Sequence, residues 1–189
     1  MALSAIALCS RALLKLGANT IASFDEGTAE AEVAANLYPS LRDALLSSYP
    51  WKFATGQAPL ALLADVPQAD FTQAFQLPSD FLRALSAGTG GLGQGLWYRI
   101  AENRLHCDAQ TVTLSYIFRP DELSFPPFFD QVLIARLAAE FCLPLTESTS
   151  RAEFLHRLAE DEFRRAKLVD AQQDIPSAIT SFPLVEVRS

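Results

Sequence analysis

The sequence predicts an α+β protein: a four-helix core with an inserted small antiparallel β lobe and an extended C-terminal arm. Apolar residues recur at helical spacing near both ends of the chain, while the stretch between them breaks into short β-branched and aromatic runs separated by Pro, Gly, Asn and Asp. The final stretch carries two prolines and apolar residues with no regular period. The 189 residues therefore divide into a first half of the core at 1–56, the lobe at 57–120, the second half of the core at 121–173 and the arm at 174–189.

Leu3, Ile6, Cys9, Leu13 and Leu16 lie on one helical face, and Gly17 supplies the stop. Thr28 is the N-cap expected for an Ala-rich second helix running to about Tyr49. Pro39 is expected to kink or split that helix, and Pro50 to end it. Strands are predicted at 58–63, 72–77, 81–87, 96–101, 104–107 and 111–118, with Glu102 and Asn103 forming a hairpin turn and TVTLSYIF alternating with period two. Phe129, Val132, Leu133, Arg136, Leu137 and Glu140 mark a third helix ending near Pro144. Ser150 and Glu153 have the spacing of a capping box opening a fourth helix to about Gln172.

Composition narrows the function. Half the residues are apolar and a fifth charged, as in an ordinary globular protein. A net charge of −7 argues against a nucleic-acid binder, which gains affinity by bringing cations to phosphates. Cys9, Cys107 and Cys142 are too few and too scattered for a disulfide framework, which points to a reducing compartment. The apolar N-terminus has no cation ahead of it and is interrupted by Arg11 and Lys15. It reads as the first amphipathic helix of a cytoplasmic protein rather than a leader or a membrane span.

Five of the eight glycines, Gly88, Gly90, Gly91, Gly93 and Gly95, fall within eight residues and spell a G-x-G-x-x-G. A dinucleotide fingerprint needs a helix after the loop to receive the pyrophosphate, and LWYRI reads as a strand instead. The expectation is a flexible hairpin tip. His106, Cys107 and Asp108 lack the paired ligands at short spacing that zinc sites use, since the other histidine, His156, is fifty residues away on a helix. The acidic pairs Asp25–Glu26, Asp121–Glu122 and Asp161–Glu162 point in different directions and read as caps and solvated faces. No catalytic residue, cofactor site or metal site is assigned. Tyr49, Pro50, Trp51 and Phe53 form a compact aromatic group predicted to make a rigid junction between core and lobe.

SFDEGT at 23–28, then Tyr38, Arg42, SYPWKFA at 48–54, FQLPSDFLRAL at 75–85 and LAAEFCLPLTES at 137–148 follow one another in order. This set resembles the phage tail tubular protein A family, the head-to-tail adaptors of short-tailed and related phages, over residues from about 8 to 171. The resemblance implies a homo-oligomer, a twelve-subunit ring beneath the portal protein, joined below to a downstream tail or nozzle protein. DNA would pass through its lumen without specific binding. It implies no enzyme activity, no cofactor and no membrane contact, and a place in the neck or tail of a virion assembled in the host cytoplasm. It also implies that the junction around Trp51 is architectural and that the arm faces the portal or a neighbouring subunit. The arm's apolar residues are Ile175, Ile179, Phe182, Leu184, Val185 and Val187, which cannot bury one another by any regular period. Two other readings compete: a module closing the tail end, and a peptidoglycan-degrading virion enzyme using a helical carboxylate such as Glu140.

Overall fold

The computed structural model describes residues 3–65, 67 and 70–173. Among these residues four helices, α1 (Ala5–Leu16), α2 (Ala29–Ser48), α3 (Pro127–Thr146) and α4 (Thr149–Ala171), enclose an apolar core. Six strands lie between α2 and α3: β1 (Thr55–Pro59), β2 (Gln73–Gln76), β3 (Phe81–Gly88), β4 (Arg99–Ala101), β5 (Arg104–Cys107) and β6 (Thr113–Phe118). The α+β architecture of a helical core with an antiparallel β insertion is thus present, and the insertion holds two three-stranded sheets, ordered β1-β6-β3 and β2-β5-β4. The arm predicted at 174–189, with Ile175, Ile179, Phe182, Leu184, Val185 and Val187, lies outside the described residues.

α3 is the centre of the core. Phe129, Val132, Leu133, Ile134, Leu137, Ala138, Phe141 and Cys142 are all buried, so the helix is apolar over most of its circumference, with Gln131 exposed and Arg136 and Glu140 half-buried. It packs against α1, α2 and α4. Pro127 occupies its first turn, where a missing N–H costs nothing.

Several boundaries differ from the sequence expectation for local reasons. α2 runs unbroken through Pro39, with Thr28 Oγ1 accepting the Ala31 N–H at 3.2 Å as its cap. α3 continues through Pro144 to Thr146 and closes at Glu147 in the left-handed region, φ 55°. A proline removes its own donor and crowds the carbonyl four residues back; at Pro144, two residues from the end of α3, the loss is small, while at Pro39, in the middle of α2, it does not split the helix. Ser148, two residues before the predicted cap, opens α4 by accepting the Arg151 N–H at 3.4 Å; Ser150 and Glu153 are helical, and Glu153 faces Arg157 at 3.8 Å. The first predicted strand spans 55–59 rather than 58–63, with Leu62 making a separate bridge to Phe75. The fourth is only Arg99–Ala101.

β6 joins the two layers. Its alternation sends Leu114 and Tyr116 into a lobe core with Phe75, Leu77, Ala87, Leu105, Cys107 and Val112, while Ile117 points into the helical core. β4 and β5 turn at Glu102 and Asn103, both at positive φ (51° and 57°), as a two-residue hairpin of the primed type demands.

Candidate junction between core and lobe

The chain passes from core to lobe at Trp51 and returns after Phe118, and both crossings are fixed by specific contacts. At the first crossing Trp51 is fully buried. Its indole Nε1 donates to the Leu45 carbonyl at 3.1 Å, giving the ring's polar edge a partner inside an apolar site. Tyr49 (5.0 Å), Phe129 (5.2 Å) and Phe163 (5.8 Å) meet the indole edge-on, and Phe53 and Phe128 lie at 6.2 Å. Phe53 extends the group to Phe125 and Phe129. Of the four predicted junction residues, Tyr49, Trp51 and Phe53 are brought together, whereas Pro50 is exposed and only ends α2.

The residue after Trp51 supplies a contact without a sequence signal. The Lys52 backbone N–H donates to both carboxylate oxygens of Asp170, at 3.1 and 3.2 Å, and Asp170 is fully buried in the last turn of α4. Burial pushes the Asp170 carboxyl above the ordinary carboxylate range, and the hydrogen bond from Lys52 acts in the opposite direction. The C-terminal end of α4 is thereby tied to the first residues of the lobe.

At the return crossing α2 meets the segment after β6. Arg42 Nη1 donates to Glu122 Oε1 at 2.6 Å, and the Tyr38 hydroxyl donates to the same oxygen at 3.0 Å. Arg119 donates to both oxygens of Asp43, through Nε at 3.0 Å and Nη2 at 2.6 Å, and Arg42 Nε reaches Asp43 at 2.9 Å. Burial alone would raise the Asp43 and Glu122 carboxyls. The arginine hydrogen bonds outweigh it and hold both below the usual range. Tyr38 is pushed upward, by burial first and then by the Glu122 charge. Glu122 was expected on a solvated face; it is instead the shared acceptor of this cluster, while Asp121 caps the short turn by accepting the Leu123 N–H at 2.8 Å.

The glycine loop is not a free tip. The Leu96 N–H donates to the Ala87 carbonyl at 2.9 Å, closing its base. Gly93 is bound down on the β1-β6-β3 sheet, its carbonyl accepting from Ser86 Oγ at 2.6 Å and Ser115 Oγ at 3.1 Å. A Cβ on Gly93 would meet only the ends of the Ser115 and Gln57 side chains, whereas one on Gly88 would collide with the backbone of Leu92 and Gln94, so close approach requires glycine at Gly88. Gly88 is buried at the base, while Gly90, Gly91 and Gly95 have positive φ and open space around them. The chain then enters β4 rather than a helix.

The remaining candidates are spread over the fold. Cys107 is buried on β5, and Asp108 accepts from the Thr72 N–H and hydroxyl at 2.9 and 3.0 Å. His106 lies on β5 and His156 on α4. Among the described residues no group of three or more His, Cys, Asp or Glu is placed to hold a metal ion. Cys9 is buried, which pushes its thiol up to about 12. Glu140 is ion-paired with Arg136 at 3.4 Å. Among the described residues no helix is long and apolar enough to cross a membrane. A scan against protein-family models finds no matching family, and a search of curated proteins finds no match.

Proposed function

We propose that the chain is the ring-forming subunit of a phage head-to-tail adaptor, seated under the portal protein, continuing the DNA channel and bound below by the next tail component. The observation that carries this reading is the fixing of the β lobe to the helical core at both crossings. The aromatic group and the Asp170–Lys52 bond hold one, and the Arg42–Glu122–Asp43–Arg119 cluster holds the other. A subunit that transmits position from one ring to the next needs two lobes in fixed relation, and helices flanking a β insertion are what the family resemblance implies.

Charge and chemistry support the same reading. A net charge of −7 suits a lumen through which DNA slides without adhering. Near the crossings, Arg42, Arg119, Asp43 and Glu122 are spent on one another. A closed ring uses two different faces of each subunit, in head-to-tail contact.

Native mass spectrometry of the purified chain tests ring formation, and pull-down with portal or tail proteins tests placement. Rings with portal capture support the adaptor. Capture by tail proteins alone supports the tail-end module, and clearing of cell-wall material that is lost on Glu140→Gln supports the enzyme. In the adaptor reading, removal of 174–189 leaves the fold intact and weakens portal capture.

A further inference from the structure

An apolar cavity of about 180 Å³ opens between α2, α3 and α4. Leu45, Val132 and Ala159 are its buried floor, Leu41 and Phe163 are half-buried at its sides, and Ser48 stands exposed at its mouth. The Arg136–Glu160 pair, at 3.2 Å, borders it. An apolar floor with a polar rim accepts one large hydrophobic anchor. An apolar cavity of about 150 Å³ is enough to bind benzene, so this volume suits a single phenyl ring.

Chain length identifies the occupant. Phe163 on α4 forms one side of the cavity, and the described residues stop at Gln173, about 15 Å further along at helical rise. Phe182 follows nine residues later and can reach up to about 30 Å, twice that span. It is the one aromatic residue within 174–189, with Ile179 and Leu184 near it. Closing so short a loop adds little entropy cost, and a tether of this length gives an effective concentration in the millimolar range.

We propose that this cavity is the seat of Phe182 from the chain's own C-terminal segment, which keeps that ring out of water until a partner takes it up. The docking is a property of the single chain and holds whether or not the adaptor reading does.

The test uses the full chain with Ser48→Cys and Ser181→Cys, which leaves Phe182 in place, oxidised mildly at low protein concentration. The three native cysteines are buried. An intramolecular disulfide is expected at a rate about ten-fold or more above a control pairing Leu14→Cys, exposed on α1, with Ser181→Cys. Adding Phe182→Ala should bring the rate down to the control. As a second readout, methyl NMR signals of Leu41, Leu45 and Val132 should shift on Phe182→Ala and stay in place on Val187→Ala. The proposal is overturned by cross-linking no faster than the control, by disulfide dimers as the main product of mixing the Ser48→Cys and Ser181→Cys chains, or by methyl signals indifferent to Phe182.

Discussion

Arg42 and Glu122, 80 positions apart in the chain, are joined by a 2.6 Å hydrogen bond that carries α2 onto the segment leaving the lobe. Both side chains are mostly covered, at 16% and 22% exposure, so the pair is poorly screened by solvent. Glu122→Ala strips Arg42 and Tyr38 of an acceptor together and should cost about 1–3 kcal/mol, the range for leaving a covered donor unsatisfied. Arg119→Ala removes a cation that is 41% exposed and should cost less than about 1 kcal/mol. Urea unfolding of the two variants checks this order, and equal losses would mean that Glu122 is not the hub.

The same cluster sets the acid limit. Asp43 and Glu122 have folded pKa values below their unfolded ones, so their contribution is complete above the unfolded values, about 3.9 and 4.3, and is lost as pH falls through the folded ones. Stability should therefore fall below about pH 4 in wild type and fall less steeply in the Glu122→Gln variant. Urea midpoints between pH 2 and 5 measure the difference.

Asp130 acts with the opposite sign. It is 6% exposed in the first turn of α3, and among the described residues its Oδ1 has no hydrogen-bond partner. Burial pushes its carboxyl up to about 6, with Arg11 acting against the rise. Because the folded pKa is raised, this group's contribution is complete below the unfolded value and is lost as pH rises through about 6, amounting to about 2–3 kcal/mol. Asp130→Asn should flatten stability between pH 4 and 6. An unchanged slope in that variant would assign the pH dependence to another group.

Trp51→Ala empties the centre of the first crossing. Replacing a buried aromatic by alanine costs about 3–5 kcal/mol, which for a chain of this size lowers the melting temperature by on the order of 10 °C. A variant as stable as wild type would show that Trp51 does not hold the two lobes together.

Gly88→Ala and substitution at Gly90 separate the two parts of the glycine loop. The first places a methyl group against the backbone of Leu92 and Gln94 and should destabilise by about 1–3 kcal/mol. Gly90→Asn enters open space at φ 62°, which Asn tolerates, and should change stability by less than about 0.5 kcal/mol. Thermal melts of both are sufficient, and the reverse order would mean that the loop does not close tightly at Gly88.

What could be read from the sequence was whatever depends on near neighbours. Helical spacing located all four helices, Thr28 declared itself as a cap, and Glu102–Asn103 as a turn. Trp51, Tyr49 and Phe53 reduce to a junction because they sit where helix gives way to strand; their place in the chain brings them there, and packing only completes the group. Contacts across the chain left no such mark. Asp170 reaches Lys52 over 118 positions, and a lone aspartate near a helix end looks like any solvated residue. The docking of Gly93 depends on Ser86 and Ser115 meeting on one sheet face, which a run of glycines does not announce. Pro144 marked the end of α3 to within two residues, whereas Pro39 did not split α2.

The most direct test of the central claim is electron microscopy of the purified chain, alone and mixed with the portal protein of the same phage. The adaptor reading predicts rings stacked coaxially on the portal. Single subunits in both samples, with no portal bound, would contradict it.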